Sequence, residues 1–117
     1  RIVQMAREAG ASRVLFASSS PPIVHPNVYG IDMPARSEYV AYGKDVEEIS
    51  RAIGADWLIY QNLEDLVDAC LGAGDTSLAN FDCSCFNGVY VTGGITEEYL
   101  TSLENIRGDS AKSQASV

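Results

Sequence analysis

Three cysteines are the side chains of this chain best suited to metal or redox chemistry. Cys83 and Cys85 are separated by one residue, whereas thiolate metal sites commonly use the C-x-x-C spacing. Cys70 lies on the apolar stripe of a predicted helix, so we expect it in the core. An odd number of cysteines without a sign of secretion argues against a disulfide framework. We therefore expect free, partly buried thiols and a reducing compartment, the cytoplasm.

The other chemically versatile residues have no suitable neighbours in the sequence. His25, the one histidine, precedes Pro26 and has no cysteine or carboxylate at ligand spacing, so it is interpreted as a surface residue without acid–base work. The serines 18–20 have no neighbouring base and are interpreted as a loop. Six acidic residues are interpreted as helix caps and solvated faces rather than a cation site: Asp45, Glu47, Glu48, Glu64, Asp65 and Asp68.

The segment 27–34, NVYGIDMP, lies in a predicted loop after a strand. Ligands of open α/β sheets bind in the loops beyond the carboxyl ends of strands. Pro34 could open a helix whose backbone N–H groups face an anion, and Asp32 could accept a hydrogen bond from a base or a ribose hydroxyl. In the alternative interpretation, Gly30 and Pro34 shape a turn and Asp32 caps a helix.

Composition limits the classes of partner. The 117 residues correspond to about one domain. Eight Lys and Arg against sixteen Asp and Glu give a net charge of −8, which argues against nucleic acid or an anionic membrane as a partner, because both require clustered basic charge. No apolar run approaches the roughly 18 residues of a membrane span.

Hydrophobic periodicity and capping residues predict five helices. The first covers 1–9 and ends at Gly10, the second covers 34–42, and the third begins at Asp45 with Glu48 as its capping-box partner. Asn62 and Thr96 are predicted to cap the last two. The residues predicted to line the buried faces are Ile2, Met5, Ala6, Ala9, Val46, Ile49, Ile53, Leu63, Leu66, Val67, Cys70, Leu71, Tyr99, Leu100, Leu103 and Ile106.

Short apolar runs at 13–17 and 57–60 predict two buried strands, with Trp57 and Tyr60 in the core. Residues 28–31 are predicted to form a short extended piece. Helices that alternate with such strands indicate an α/β fold with a mostly parallel sheet flanked by helices. Two strands alone would leave unpaired edges, and the first helix begins at Arg1 without a capping residue. We therefore expect a fragment whose sheet is completed by other sequence.

Several segments, taken in order, identify the chain as similar to the C-terminal end of the glutamine amidophosphoribosyltransferases. These are MAREAGA (5–11), NVYGIDMP (27–34), IGADWLIYQNLEDLVDA (53–69), FDCSCFNGVYVT (81–92) and YLTSLENIRGDSAK (99–112). The resemblance implies the C-terminal half of a type I phosphoribosyltransferase domain over 1–80. It further implies an extension with a closing helix over 81–107, and the polar segment 108–117 is predicted to be a disordered tail.

The family resemblance also implies an activity. The intact enzyme makes 5-phosphoribosylamine from phosphoribosyl pyrophosphate and glutamine, the first step of de novo purine (IMP) biosynthesis, under feedback inhibition by purine nucleotides. It implies that Asp32, Met33 and Pro34 form a wall of the nucleotide site, that Tyr99, Leu100 and Leu103 pack the closing helix, and that the protein is a homo-oligomer. The phosphoribosyl pyrophosphate loop, the Mg²⁺ ligands and the glutaminase nucleophile have no match in this chain, so we expect it to be inactive alone.

Some relatives carry an iron–sulfur cluster on a C-x-x-C just before the FxGxY run. Cys85 matches the second of those positions, but Asp82 occupies the first, so we do not expect a cluster. Two other functions stay open at this point. One is a purine-salvage type I phosphoribosyltransferase, and the other is a non-enzymatic nucleotide-binding regulatory module.

Overall fold

A computed structural model describes the backbone of residues 1–74 and 77–114 and the side chains of those up to residue 108. The chain forms two compact units. Residues 1–22 and 43–79 form the first, called here the sheet unit, and residues 23–42 and 80–117 form the second, called the loop unit. The predicted loop 72–80 includes residues 75 and 76, which lie outside the described residues.

The sheet unit has α/β architecture, as predicted. Its elements in chain order are α1 (Ile2–Glu8), β1 (Leu15–Ala17), α2 (Val46–Ile53), β2 (Trp57–Ile59) and α3 (Leu63–Ala73). The two strands pair in parallel, with Leu15 opposite Trp57 and Ala17 opposite Ile59. Both predicted strands therefore exist and pair in the expected direction, although each is shorter than its apolar run.

The ends of the helices in the sheet unit follow from local sequence. Asp45 accepts the N–H of Glu48 at 2.8 Å, and the Glu48 carboxylate accepts the N–H of Asp45 at 2.9 Å, which completes the predicted capping box. Asn62 accepts the N–H of Glu64 at 2.8 Å. Gly54 ends α2 in the left-handed region at φ 77°, where glycine has no side-chain penalty. These predictions are confirmed.

Burial in the sheet unit differs from the prediction. Ile49 of α2 and Leu58 of β2 are buried, because α2 packs against one face of β2. Trp57, predicted to be core, is 59% exposed, and Ile59 is exposed as well. Successive strand side chains point to opposite faces, so a helix on one face of this two-stranded sheet leaves the other without cover among the described residues of the unit.

In α1 and α3, too, the buried residues differ from those predicted. In α1 the buried residue is Val3, while Ile2 and Met5 from the predicted apolar face are exposed. In α3 the leucines at 63, 66 and 71 are half-buried, but Cys70 is exposed rather than in the core. Periodicity correctly predicts that these helices are amphipathic. It does not show which side finds a partner.

The loop unit contains a 3₁₀ helix (Arg36–Glu38), α4 (Ser84–Asn87) and α5 (Glu97–Gln114). The predicted helix over 34–42 is wrong apart from this short 3₁₀ turn. Tyr39 has extended backbone angles, and burial alternates there, with Tyr39 and Ala41 buried and Val40 exposed. Residues 40–43 then form a turn, in which the Tyr42 N–H donates to the Tyr39 carbonyl at 3.2 Å, so the helix does not continue. The extended piece predicted at 28–31 is also wrong, since those residues form a turn around Asn27.

The last helix begins where the sequence predicts. Thr96 Oγ1 accepts the N–H of Tyr99 at 3.2 Å, which confirms Thr96 as the cap. Leu100 is buried and Leu103 half-buried, whereas Tyr99 and Ile106 are exposed. The helix continues to Gln114 and so includes 108–114 of the segment predicted to be a disordered tail. Residues 115–117 lie outside the described residues, and the domain boundaries at 80 and 107 stay predictions.

In the part of the chain that the structure describes, none of the helices is both long enough and apolar enough to cross a membrane.

Candidate functional site

Asn27 organises the loop that the sequence singles out. Its side chain is buried, with 2% of the residue exposed. The Oδ1 atom accepts the backbone N–H of Tyr29 at 2.9 Å and that of Ile31 at 3.0 Å. Gly30, between them, has φ 100°, a conformation that glycine adopts without penalty. One side-chain oxygen therefore closes a tight loop that has neither helical nor sheet hydrogen bonds.

The three predicted nucleotide-site residues follow this turn and point in different directions. Asp32 and Pro34 are exposed, whereas Met33 is half-buried. The Met33 sulfur accepts the N–H of Asn27 at 3.3 Å and lies 3.9 Å from the Tyr39 hydroxyl. Met33 thus holds the loop from inside, and Asp32 and Pro34 remain available to a ligand. Their role in nucleotide binding stays a prediction.

The start of the 3₁₀ helix does not offer the anion site that Pro34 suggests. Ala35 donates its N–H to Glu38 Oε1 at 3.3 Å, and Ser37 donates its N–H to Glu104 Oε1 at 3.2 Å. Carboxylates of this chain already occupy these donors, so a phosphate there would have to displace like charge. Asp32 does not cap the helix either, because the helix begins after Ala35.

The second signature segment, 81–92, holds the residues that lead directly into the first segment within the loop unit. The carbonyl of Cys85 accepts the N–H groups of Val24 and His25, each at 3.1 Å. The Tyr90 hydroxyl donates to the carbonyl of Pro26 at 2.8 Å. The residues that give this sequence its recognisable signature therefore build one structure.

Aromatic contacts extend this connection. The Tyr29 hydroxyl accepts the N–H of Thr92 at 3.3 Å and lies 3.2 Å from the Thr92 hydroxyl. The Tyr29 and Tyr90 rings meet edge to face with centroids 6.3 Å apart. His25 is half-buried rather than a surface residue, because its ring packs against Gly88.

Two side chains of α5 hold the base of the loop. Arg107 Nη2 donates to the carbonyl of Asn27 at 3.0 Å, and Glu104 accepts from Ser37 and from Arg36 Nη2, the latter at 3.4 Å. The Arg36 guanidinium also lies 5.2 Å from the centroid of the Tyr42 ring. The first residue of the loop and the helix that follows it are thus both fixed to α5.

Sequence reasoning missed Asn27, Glu104 and Arg107, although signals for them exist. Asn three residues before a glycine is typical of a side chain that closes a turn on its own backbone. Arg107 falls at the helical spacing of Leu100 and Leu103. A charge on an otherwise apolar stripe indicates a partner inside the fold.

The cysteines behave as ordinary thiols. Cys83 and Cys85 are free and half-buried, as predicted. Burial raises the pKa of the Cys85 thiol, the Asn27 side-chain hydrogen bond opposes that shift, and the Asp82 carboxylate adds to it. A thiol with a raised pKa is a poor nucleophile and metal ligand. Among the described residues, no group of three or more His, Cys, Asp or Glu side chains could hold a metal ion.

The structure is that of an α/β protein whose loop unit contains a loop held in one conformation by hydrogen bonds. Comparison with known proteins specifies the family. The chain is 52% identical over 98% of its length to the amidophosphoribosyltransferase of Pseudomonas aeruginosa. It is 52% identical over 96% of its length to that of Escherichia coli, and 50% identical over 91% to that of Schizosaccharomyces pombe. The chain therefore belongs to the amidophosphoribosyltransferase family, and these identities confirm the resemblance seen in its sequence.

The chain spans 19–23% of the length of these three relatives. No protein-family model matches it.

Proposed function

We propose that this chain is the C-terminal part of an enzyme that makes 5-phosphoribosylamine from phosphoribosyl pyrophosphate and glutamine. This reaction is the first step of de novo purine biosynthesis. The observation that carries the proposal is the identity of about half the residues across nearly the whole chain with proteins named amidophosphoribosyltransferase.

The chemistry joins two steps. Water hydrolyses the glutamine side-chain amide to glutamate and ammonia. The ammonia nitrogen then forms a bond to C1 of the ribose as the bond to pyrophosphate breaks, and a proton is released. Mg²⁺, held by residues outside these 117, would supply stabilisation of the negative charge on the leaving group. The glutaminase nucleophile, the phosphate-binding loop and the Mg²⁺ ligands belong, in this proposal, to sequence outside these 117 residues.

The contribution of this chain is a wall of the nucleotide site. The exposed Asp32 and Pro34 would contact the nucleotide, with the Asp32 carboxylate accepting from a ribose hydroxyl or a base N–H. Met33, whose sulfur points into the loop, would act as the anchor between them. The network around Asn27 supports this role, because a binding loop needs a fixed conformation before the ligand arrives.

The exposed sheet supports a type I phosphoribosyltransferase domain completed by other sequence. All three residues of β1 are exposed, as are Trp57 and Ile59 in β2. Parallel sheets are normally covered on both faces, so we propose that further strands and helices complete this one. The 117-residue chain should then be inactive alone.

Three further features of the parent enzyme belong to the proposal. We place it in the cytoplasm, in agreement with its free thiols, and we expect a homo-oligomer. We expect no iron–sulfur cluster, because Asp82 stands where a cluster-binding relative has its first cysteine. The donor set near Cys83 and Cys85 does not fit a cluster within the described residues.

The test compares the protein at the full length that its gene encodes with the 117-residue chain. Each is incubated with phosphoribosyl pyrophosphate, glutamine and Mg²⁺, and glutamate, pyrophosphate and 5-phosphoribosylamine are measured. We expect equal amounts of all three from the full-length protein and none from the 117-residue chain. Product formation by the chain alone would contradict the proposed division of labour.

The same assay separates the alternatives. A salvage phosphoribosyltransferase would release pyrophosphate with a purine base and without glutamine. A regulatory module would bind AMP or GMP without releasing pyrophosphate under either condition. Either result with the full-length protein would overturn the proposed activity.

A further inference from the structure

Asn27 is almost completely buried, yet it carries a polar amide. Burying an amide without hydrogen bonds is unfavourable, so its retention in the loop unit needs an explanation. The hydrogen bonds of Asn27 provide one. Its side-chain Oδ1 accepts two loop N–H groups, and its side chain also hydrogen-bonds the Cys85 thiol. Its backbone N–H donates to the Met33 sulfur and its backbone carbonyl accepts from Arg107.

The two Oδ1 hydrogen bonds lie within the loop that ends in Asp32 and Pro34, and the two backbone hydrogen bonds of Asn27 hold the start of that loop. The N–H groups of Tyr29 and Ile31 have the Asn27 oxygen as their partner, and Met33 is drawn inward beneath the same residue. Fixing the backbone of a residue costs conformational entropy. Without the Asn27 oxygen, a ligand would have to bear that cost for each residue it orders.

In the part of the chain that the structure describes, the side chains that contact the two ends of the loop do not hydrogen-bond its interior backbone, whereas Asn27 does. Arg107 holds the residue at which the loop begins, and Glu104 holds Ser37 beyond the loop. The interior between these points contains no other side chain that accepts from two of its N–H groups among the described residues. Asn27 alone reaches both Tyr29 and Ile31.

We propose that Asn27 is a positioning residue that fixes the conformation of residues 29–34 and thereby sets the affinity for a purine nucleotide at Asp32 and Pro34. That the ligand is a purine nucleotide rests on the proposed function. The effect of Asn27 on the loop backbone rests only on the geometry of the loop.

The test uses the full-length protein and three variants at this position. Asn27→Asp keeps an oxygen at the same distance from the backbone, Asn27→Ser keeps a shorter and weaker acceptor, and Asn27→Ala removes the acceptor. Hydrogen exchange of the Tyr29 and Ile31 amides and calorimetric titration with AMP and GMP are measured. Loss of the two hydrogen bonds should accelerate exchange and weaken nucleotide binding by about 10-fold or more.

We expect exchange and binding to change in the same order, with Ser less affected than Ala. Asp keeps the acceptor but buries a carboxylate beside Cys85, so we expect its nucleotide affinity to fall below that of the wild type as well. Asn62→Ala is the matched control, because Asn62 Oδ1 also accepts two backbone N–H groups, those of Glu64 and Asp65. The control should accelerate exchange at Glu64 and leave nucleotide affinity unchanged. This contrast separates positioning from a general loss of stability.

The outcomes distinguish the two claims. If the wild-type protein binds neither nucleotide, the proposed nucleotide site fails, and exchange still decides whether Asn27 fixes the loop. If a folded Asn27→Ala protein, or Asn27→Ser where Ala prevents folding, exchanges and binds like the wild type, the positioning role is overturned. Equal weakening of binding by Asn62→Ala would also overturn it, since the effect would then be one of stability alone.

Discussion

The sheet unit and the loop unit are ordered by hydrogen bonds of different reach. In the sheet unit, α2 and α3 begin at side chains that bond two or three residues ahead, from Asp45 and Asn62. In the loop unit, Asn27 also bonds two and four residues ahead. The hydrogen bonds that hold this loop to residues 81–92 and to α5, however, join residues 63 to 80 positions apart in the chain. Local sequence therefore predicts the first unit, whereas the second depends on which distant residues meet.

Gly88→Ala should test this difference most strongly. Gly88 has φ 70°, and a Cβ there would lie 2.9–3.1 Å from three atoms of the His25 ring. A left-handed alanine costs about 1 kcal/mol, and the contact should raise the loss in the free energy of unfolding to about 2 kcal/mol or more, measured by urea denaturation. Gly43→Ala is the control, because φ is 67° there and no atom lies within 4 Å of a Cβ. Equal losses would show that the His25 contact adds nothing.

Tyr90→Phe sharpens the comparison by removing one long-range hydrogen bond. The Tyr90 hydroxyl donates to the Pro26 carbonyl at 2.8 Å, and Pro26 is buried. Leaving that carbonyl without its partner should lower the free energy of unfolding by about 1 kcal/mol. Tyr99→Phe, at an exposed position of α5, should change it by less than about 0.5 kcal/mol. A neutral Tyr90→Phe would mean that this contact does not help to order the loop unit.

Asp56 is an exception to this difference between the units, because it makes long-range hydrogen bonds inside the sheet unit. Its carboxylate accepts the Val14 N–H at 2.7 Å and Arg7 Nη2 at 2.9 Å. The Val14 hydrogen bond is the main cause of the lowered pKa of Asp56, burial opposes it, and Arg7 adds to it.

A lowered pKa in the folded state means that the stabilisation is complete above the usual Asp value of 3.8 and is lost as pH falls through the folded value. Asp56→Asn should therefore lower stability at neutral pH and make it less dependent on pH below about pH 5. Urea denaturation from about pH 7 to about pH 2 measures this dependence. If the free energy of unfolding of Asp56→Asn falls with decreasing pH as it does in the wild type, Asp56 does not contribute to the pH dependence of stability.

Ser84→Ala should give the smallest effect. Ser84 is fully buried, and its hydroxyl has no hydrogen-bond partner among the described residues. Removing an unpaired buried polar group should leave the free energy of unfolding unchanged or raise it by up to about 1 kcal/mol. Ser50→Ala is the sheet-unit counterpart, because Ser50 donates to the Ala55 carbonyl at 3.1 Å, and it should lower stability by about 0.5–1 kcal/mol. A large loss at Ser84 would reveal a partner of its hydroxyl.

The sequence predicts the sheet unit in outline and the site only by resemblance. The capping residues of α2, α3 and α5 and the two strands follow from local spacing, because their energetics involve residues a few positions apart. The helix predicted at 34–42 failed because Tyr39 is extended and residues 40–43 form a turn, with Tyr39 and Ala41 both buried. No local pattern predicts that burial, which depends on contacts distant in sequence.

The sequence by itself determined the starts of α2, α3 and α5, the parallel pairing of the strands and the family. The residue types responsible act locally, or occur in an order that is specific to the family. The tertiary structure alone decided that Met33 points inward, that Glu104 accepts the N–H of Ser37, and that Arg107 holds the carbonyl of Asn27. The physical reason is that a buried polar group is stable only where distant parts of the chain supply its partners. Those partners become neighbours only when the chain has folded.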